Sequence, residues 1–273
     1  MFSWRLPTYF LSHGGGPWPF MHGELRSAFD KLESSLVEIP RRLGARPRAV
    51  LMISGHWESP DFTVSSASRP PMLYDYYGFP EWAYHIEYGA PGSPELAARV
   101  GQILEACGLS CRSDGNRGFD HGTFSLMKAL YPQADMPVVQ LSLHAGLDPE
   151  LHMRAGRLLA PLRDEGVLII GSGSSYHNLR QWDAGAALPS RQFDAWLQET
   201  LVESAPAERR ARLAAWRNAP SARAAHPREE HLLPLMVAVG AAEDDPGARI
   251  YHQDDFMGPI SLSSFRFGGD FVH

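Results

Sequence analysis

Histidine is the residue type whose number and placement in this chain point to chemistry. The sequence has 12 histidines among 273 residues. Imidazole is the commonest metal ligand in proteins, and its pKa near neutrality also suits it to proton transfer. Histidines at special positions are therefore candidates for a metal site or for general acid–base catalysis.

Two histidines, His13 and His56, each follow an apolar run typical of a buried strand, at residues 8–11 and 49–54. Three glycines come after His13, but the stretch lacks the Lys and Ser/Thr of a Walker loop and does not match the dinucleotide-binding fingerprint. Glycine lets the backbone approach closely, as a crowded site requires. We therefore expect both histidines to bind a metal ion. Glu58 is a candidate carboxylate to orient His56.

The third ligand has three candidates near residue 230. His231 opens an apolar segment and would point along the buried face of a helix that begins near Glu229. His226 precedes a proline, which favours an extended or turn conformation. Glu230 is the carboxylate alternative, because two histidines and one carboxylate form the common iron(II) triad. The pattern alone favours His231 and leaves the other two open.

His177 and His121 have positions that suit a catalytic role. His177 follows the glycine-containing end of an apolar run at residues 166–173. A fourth histidine ligand would close the coordination shell, whereas catalytic metal sites keep positions open. We therefore interpret His177 as a general acid–base residue. His121 heads a predicted helix and either donates a hydrogen bond to a substrate oxygen or caps the turn. His144 also follows a strand, and we assign it a structural role.

Apolar, β-branched runs alternate with helical patterns along the chain. Strands are predicted at residues 8–11, 49–54, 137–143, 166–173, 249–251 and 261–267. Helices are predicted at residues 24–37, 93–108, 149–162, 190–203 and 206–217, together with a short helix that ends near residue 130 and one that begins near residue 229. This alternation indicates an α/β fold with a mostly parallel sheet covered on both sides. Ligands of such folds bind beyond the carboxyl ends of the strands. We expect one catalytic domain over residues 1–273.

Composition excludes several classes of protein. The net charge of −6 and the lack of a Lys/Arg cluster argue against a nucleic-acid partner. No apolar run is long enough to cross a bilayer, so we expect no membrane partner. Two cysteines, Cys107 and Cys111, cannot cross-link a chain of this length, which indicates a reducing compartment. We expect a cytoplasmic monomer or homodimer.

Nearly the whole sequence resembles the class III extradiol ring-cleavage dioxygenases, in particular their DOPA 4,5-dioxygenase-like branch. Each matching segment is short, and their occurrence in this order makes the resemblance specific. The segments are Leu11-Ser12-His13-Gly14, Ile53-Ser54-Gly55-His56-Trp57, Tyr74-Asp75-Tyr76-Tyr77-Gly78-Phe79-Pro80, Tyr88-Gly89-Ala90-Pro91-Gly92-Ser93-Pro94, Gly118-Phe119-Asp120-His121-Gly122, Pro137-Val138-Val139-Gln140-Leu141-Ser142, Gly171-Ser172-Gly173, His177-Asn178-Leu179 and Glu230-His231-Leu232-Leu233-Pro234-Leu235.

The resemblance implies a three-layer α/β/α sandwich around a mixed central sheet. It implies metal ligands at His13, His56 and His231, an acid–base residue at His177 and a substrate-side histidine at His121. In relatives the first motif often reads His-Gly-Ser-Pro, whereas here His13 is followed by Gly-Gly-Gly-Pro. This departure predicts a reshaped loop beside the metal and affects the substrate more than the chemistry.

The activity that the resemblance implies is iron(II)-dependent cleavage of a catechol-type ring with O2. Zinc(II) is an alternative bound ion, because three histidines and an open position suit a zinc hydrolase equally well. A non-catalytic binding protein that retains the fold is the other alternative. The presence of all four histidines, His13, His56, His177 and His231, argues against it. The aromatic stretch of Tyr74, Asp75, Tyr76, Tyr77 and Phe79 forms either a wall of the ring-binding pocket or part of the core.

Overall fold

An eight-stranded sheet forms the centre of the computed structural model, which describes residues 5–269. The strands are β1 (Thr8–Ser12), β2 (Ala49–Ser59), β3 (Phe62–Ser65), β4 (Cys111–Asp114), β5 (Val138–His144), β6 (Val167–Gly173), β7 (Gly247–Phe256) and β8 (Ile260–Phe267). Their order across the sheet is β4-β3-β5-β2-β6-β1-β8-β7.

Nine α-helices connect or flank these strands within the described residues. They are α1 (Glu24–Ser27), α2 (Asp30–Arg42), α3 (Pro94–Ala106), α4 (His121–Leu130), α5 (Pro149–Leu159), α6 (Ala187–Gln198), α7 (Pro206–Ala214), α8 (Ala222–Ala225) and α9 (Leu233–Ala242). No helix in residues 5–269 combines the length and the apolar character needed to cross a membrane.

The sheet is mixed, with a parallel centre. β2 pairs in parallel with β5 and β6, and β6 pairs in parallel with β1. Antiparallel pairs join β8 to β1 and to β7 on one side, and β3 to β5 on the other. Because parallel strands end at the same edge, the segments that follow β1 and β6 lie beside the end of β2.

Helices cover both faces, as a three-layer sandwich requires. Successive residues of β2 alternate between two separate cores: Leu51 and Ile53 belong to one, whereas Val50 and Met52 belong to the other. Helices α3, α5, α6 and α9 supply the first core, and α2 and α4 supply the second. Strands buried on both faces explain the continuous apolar runs. The predicted α/β/α class is confirmed.

The sequence prediction lacks β3 and β4, and both β2 and β7 are longer than predicted. β3 and β4 have four residues each, and β4 is mostly polar because it lies at the edge of the sheet. β2 continues to Ser59, past the predicted end at residue 54, with a change of register between Ile53 and Glu58. His56 therefore lies within the strand and not beyond its end, which corrects the prediction.

Two helical predictions also need correction. The helix predicted over residues 24–37 is divided into α1 and α2. The helix predicted to begin near Glu229 begins at Leu233, because Pro234 occupies its first turn, where a missing N–H costs nothing. His231 consequently lies in a turn that precedes α9, and a turn can direct its ring differently from a helix.

Helices α5 and α9 pack closely because glycines face the backbone of the partner helix. A Cβ atom on Gly156 would overlap the Val237 carbonyl, and one on Gly240 would overlap the Met153 carbonyl. Both helices belong to the same core, and α9 also contacts β1 and β6. The distance between the two helices therefore sets how α9, and the turn before it, sits on the sheet.

Substitution of Gly156 by alanine tests this packing. We expect Gly156→Ala to lower the free energy of unfolding by about 1–3 kcal/mol, because the two backbones must separate. The matched control is Gly101→Ala in α3, where a Cβ would meet nothing within 4 Å. That change should stabilise the protein by about 0.5–1 kcal/mol through helix propensity. Urea denaturation measures both, and equal effects of the two substitutions would contradict the packing argument.

Candidate metal centre

Three imidazoles from distant parts of the chain meet at the carboxyl end of the central strands. His13 directly follows β1, and its backbone N–H donates to the Gly173 carbonyl at 3.0 Å. His56 lies in β2, and His231 precedes α9. The Nε2 atom of His56 lies 3.2 Å from Nε2 of His13 and 3.0 Å from Nε2 of His231. Three ring nitrogens therefore converge.

The spacing and protonation of these nitrogens fit a bound divalent ion. Two ligand atoms at about 2.1 Å from one ion, at right angles, lie about 3.0 Å apart. Burial first, and then the neighbouring histidines, hold the pKa of His13 and that of His231 well below the usual value. Burial, followed by His121, lowers the pKa of His56 to about 3. Neutral imidazole is the form that binds metals, so these three side chains can hold an ion.

Asp75 joins a histidine of this cluster to His121. One carboxylate oxygen of Asp75 lies 3.2 Å from Nδ1 of His56. The other lies 2.9 Å from Nδ1 of His121 and also accepts the backbone N–H of His121 at 3.0 Å. Burial alone would raise the pKa of Asp75, but the hydrogen bonds from His121 and the nearby imidazoles outweigh burial and lower it to about 2. The bridge is therefore an ionised carboxylate.

Glu230 joins the second pair of histidines in the same manner. Its Oε1 lies 3.1 Å from Nδ1 of His231 and 3.2 Å from Nδ1 of His177. The rings of His177 and His231 stack, with centroids 3.3 Å apart and planes 14° from parallel. Burial opposes ionisation of Glu230, but the hydrogen bond from His177, a backbone hydrogen bond and the charges of His177 and Arg228 together outweigh burial and lower the pKa of the carboxyl group.

The two carboxylates determine which ring nitrogen carries the proton. A carboxylate beside Nδ1 accepts a hydrogen bond from it, so the lone pair of His56 and of His231 remains on Nε2. His13 has no such partner, because its buried Nδ1 is unpaired among residues 5–269. Its main chain is held instead, since the indole Nε1 of Trp18 donates to the His13 carbonyl at 2.8 Å. Two carboxylates therefore serve two candidate ligands and two candidate catalytic residues.

His121 also lies close to the converging nitrogens. Its ligand atom, and those of His13 and His56, are all within 4.8 Å of one another, as are those of His177, Glu230 and His231. The separation of 3.0 Å between Nε2 of His56 and Nε2 of His231 is the spacing of atoms that share one ion, and it favours His231 over His121 as the third ligand.

The other candidates near residue 230 lie outside the converging set. His226 is buried behind the site, where its Nε2 pairs with the Ser175 carbonyl at 3.1 Å. Glu230 approaches the far nitrogens of the histidines and not the converging ones. Glu58 does not contact His56. It pairs with Arg228, which also lies 3.5 Å from Glu230.

A cavity of about 470 Å³ opens in front of His13, His56, His121 and His177. This volume suits a small aromatic ligand. Of the aromatic stretch, Tyr76 and Tyr77 line the cavity together with Asp75. Tyr74 instead donates its hydroxyl to the Ile86 carbonyl, and Phe79 packs against Tyr76. The stretch therefore contributes some of its residues to the cavity lining and others to the packing around it.

The glycine loop after His13 forms another wall of the cavity. Gly14 and Gly16 have φ angles of +77° and +55°, which favour glycine. A Cβ on Gly16 would also overlap the ring of Phe79, and the Gly16 carbonyl accepts the Ser125 hydroxyl at 2.9 Å. The loop therefore has a fixed shape and leaves open space beside the candidate metal site.

Sequence reasoning missed the opposite wall. Tyr176, Trp182, Phe256, Met257 and Leu262 line the cavity, although only Tyr176 is near a candidate histidine in sequence. The last three lie at the end of β7 and in β8, which the fold brings beside β1. Met257 lies in the turn between β7 and β8, where it is exposed and has a φ of +46°, properties that only the structure shows.

Comparison with known proteins agrees with this geometry. Residues 7–266 match the family described as the catalytic LigB subunit of aromatic ring-opening dioxygenase. The chain is 38% identical to 4,5-DOPA dioxygenase extradiol of Beta vulgaris, over 95% of this chain and 96% of that protein. It is 36% identical to dioxygenase tasH of Hapsidospora irregularis, over 97% and 86% of the two chains. The crystal structure of an uncharacterized protein from Escherichia coli K12 is similar, with a TM-score of 0.79, 29% identity and coverage of 97% and 100%.

Proposed function

Since the chain belongs to the LigB family and is an extradiol ring-cleavage dioxygenase, we propose that it cleaves a catechol-type ring with O2 at an iron(II) ion. His13, His56 and His231 would hold the ion. The observation that carries this proposal is the convergence of their Nε2 atoms, at 3.2 and 3.0 Å, beside an open cavity that His13 and His56 line.

The donor set suits this chemistry. Iron(II) at this place would conduct electron density from the electron-rich ring to O2 and thereby avoid the spin barrier of the direct reaction. Three neutral imidazoles add no negative charge to the site, so it attracts an anionic catecholate more strongly than a triad that contains a carboxylate would. Three protein ligands also leave room for both substrates.

His177 is the proposed acid–base residue. It lines the cavity, and Glu230 at 3.2 Å from its Nδ1 keeps the proton on that nitrogen and leaves Nε2 able to accept one. The same carboxylate stabilises the imidazolium that forms when His177 takes a proton from a ring hydroxyl. His177 would return this proton during ring opening. His121, oriented by Asp75, would donate a hydrogen bond to a substrate oxygen.

Two broader properties belong to the same proposal. The same sheet contains a strand from residues 8–12 and a strand from residues 260–267. This arrangement supports a single catalytic domain over residues 1–273. Residues 1–4 and 270–273 lie outside the described part of the chain. Cys107 and Cys111 are free thiols, which supports a reducing compartment, and we propose the cytoplasm.

Anaerobic loading with iron(II), followed by addition of a catechol and O2, tests the activity. We expect uptake of one O2 per catechol and the appearance of a coloured ring-opened product, since both oxygen atoms enter the substrate. The protein loaded with zinc is the control and should consume no O2, because zinc has no redox chemistry. Hydrolysis of an ester or amide by the zinc form, without O2 uptake by the iron form, would contradict the proposal and favour a zinc hydrolase.

Removal of each proposed ligand should abolish metal binding. We expect His13→Ala, His56→Ala and His231→Ala to reduce the metal content measured by mass spectrometry from about one ion per chain to a small fraction. His226→Gln and His121→Ala are the controls and should retain the ion. Loss of metal from the His121 variant, with retention in the His231 variant, would show that the ligand assignment is wrong.

Removal of the proposed acid–base residue should separate binding from turnover. We expect His177→Ala to keep its metal and to lose roughly 10²–10⁴-fold in kcat. His85→Ala is the matched control, because His85 is exposed and lies outside the cavity. Metal analysis and oxygen-electrode kinetics on the same preparations measure both properties. Full activity in the His177 variant would refute the acid–base assignment.

A further inference from the structure

The residues that line the cavity indicate which kind of ring substituent the cavity can bind. We propose that the substrate is a catechol with an apolar, uncharged substituent, and not a catechol acid or amino acid. This inference rests on the proposed ring cleavage and specifies its substrate class. Three observations support it: the exposed rim of the cavity, the lack of lysine and arginine in its lining among residues 5–269, and the hydrogen-bonding state of Asp75.

The rim of the cavity is apolar and exposed. The exposed fraction of the lining residues rises from the floor of the cavity to its rim. His13 lies at the floor and is 2% exposed, whereas Tyr77, Leu179 and Met257 lie at the rim and are 92%, 69% and 41% exposed. These three are half of the exposed large hydrophobic side chains in residues 5–269. Exposed apolar side chains that cluster around a cavity indicate a surface covered by a ligand. The substituent of a ring bound near the histidines would extend toward this rim.

Among residues 5–269, the lining offers a carboxylate no permanently charged cationic side chain. Within the part of the chain that the structure describes, no lysine or arginine lines the cavity. The arginines nearest the candidate ligands are already paired. Arg117 contacts Asp120 at 2.8 Å, and Arg228 contacts Glu58 and Glu230. Arg180 follows Leu179 in the chain, but its exposed side chain lies outside the lining. A bound carboxylate would therefore lose water without gaining an ionic partner.

The lining offers no free negative charge to an ammonium group either. Asp75 is the only carboxylate in the lining within residues 5–269. One of its oxygens faces Nδ1 of His56, and the other accepts two hydrogen bonds from His121. The names of several relatives refer to DOPA, an amino acid with both a carboxylate and an ammonium group. Within residues 5–269 the lining has no lysine or arginine for the carboxylate and no free carboxylate for the ammonium group, whereas Trp182, Phe256 and Leu262 suit a hydrocarbon.

Matched catechols test the proposal. 4-Propylcatechol and 3-(3,4-dihydroxyphenyl)propionate differ mainly in a terminal methyl or carboxylate group, and DOPA adds an ammonium group. We expect kcat/KM for the propyl compound to exceed that for either charged compound by about tenfold or more, because burying an unpaired charge is costly. Dissociation constants measured anaerobically, by quenching of tryptophan fluorescence, should follow the same order, since Trp182 lines the cavity.

The binding measurement separates this inference from the proposed activity. If no catechol is cleaved, ring cleavage is refuted, while the order of dissociation constants still decides the substrate class. Equal or tighter binding of the charged compounds would overturn the inference even if all three catechols are cleaved.

A charge placed on the rim provides the second test. We expect Leu179→Lys to shift the preference toward the propionate by about tenfold, because it supplies the missing cation. Leu188→Lys is the control: Leu188 is also an exposed hydrophobic residue, at 57%, but it lies outside the cavity, so the preference should stay as in the wild type. Arg180→Ala should also keep that preference. A selective loss of propionate binding in the Arg180 variant would overturn the inference.

Discussion

The central physical constraint is that three neutral imidazoles, two buried and that of His56 partly buried, must direct their lone pairs at one another. Nε2 atoms at 3.0–3.2 Å repel without a cation between them, so other contacts must hold the rings in place. Asp75 and Glu230 supply those contacts, and each also holds a histidine that faces the cavity. The protonation states of the proposed ligands and of the proposed catalytic residues are therefore coupled through shared carboxylates. A change at either carboxylate affects one residue of each kind.

The fold satisfies this constraint by close backbone approach. A Cβ on Gly173 would overlap the His231 carbonyl, and one on Gly171 would overlap the Pro234 carbonyl. Because these glycines leave room, the turn that carries His231 rests directly on β6, where Ser174 donates its N–H to the His231 carbonyl at 3.0 Å. Gly122 similarly lies against the ring of His56. Glycines around the site thus set ring positions that side-chain contacts alone would leave loose.

Sequence reasoning predicts what depends on local pattern and misses what depends on tertiary contacts. Apolar runs identify β1 and β6, and Ser93 with Pro94 correctly marks the start of α3, where the Ser93 hydroxyl accepts the Leu96 N–H. No local pattern indicates that Asp75 bridges two histidines. His56 lies 19 residues before Asp75 in the sequence, and His121 lies 46 residues after it. The short, polar β4 is defined only by pairing with β3. The sequence pattern predicts His231 on a helix because it cannot locate the turn before Pro234.

The residues at the floor of the cavity depend on one another more strongly than those at its rim. The floor consists of buried titratable groups whose geometry is interlocked, so a substitution there changes several protonation states together. The rim comes from three separate segments, represented by Tyr77, Leu179 and Met257, which are exposed and can be exchanged without disturbing the imidazoles. Substitutions at sites that do not contact one another have nearly independent effects. A protein of this construction can therefore keep one ring-opening chemistry while its rim adapts to different substituents, and an apolar rim is what this chain has.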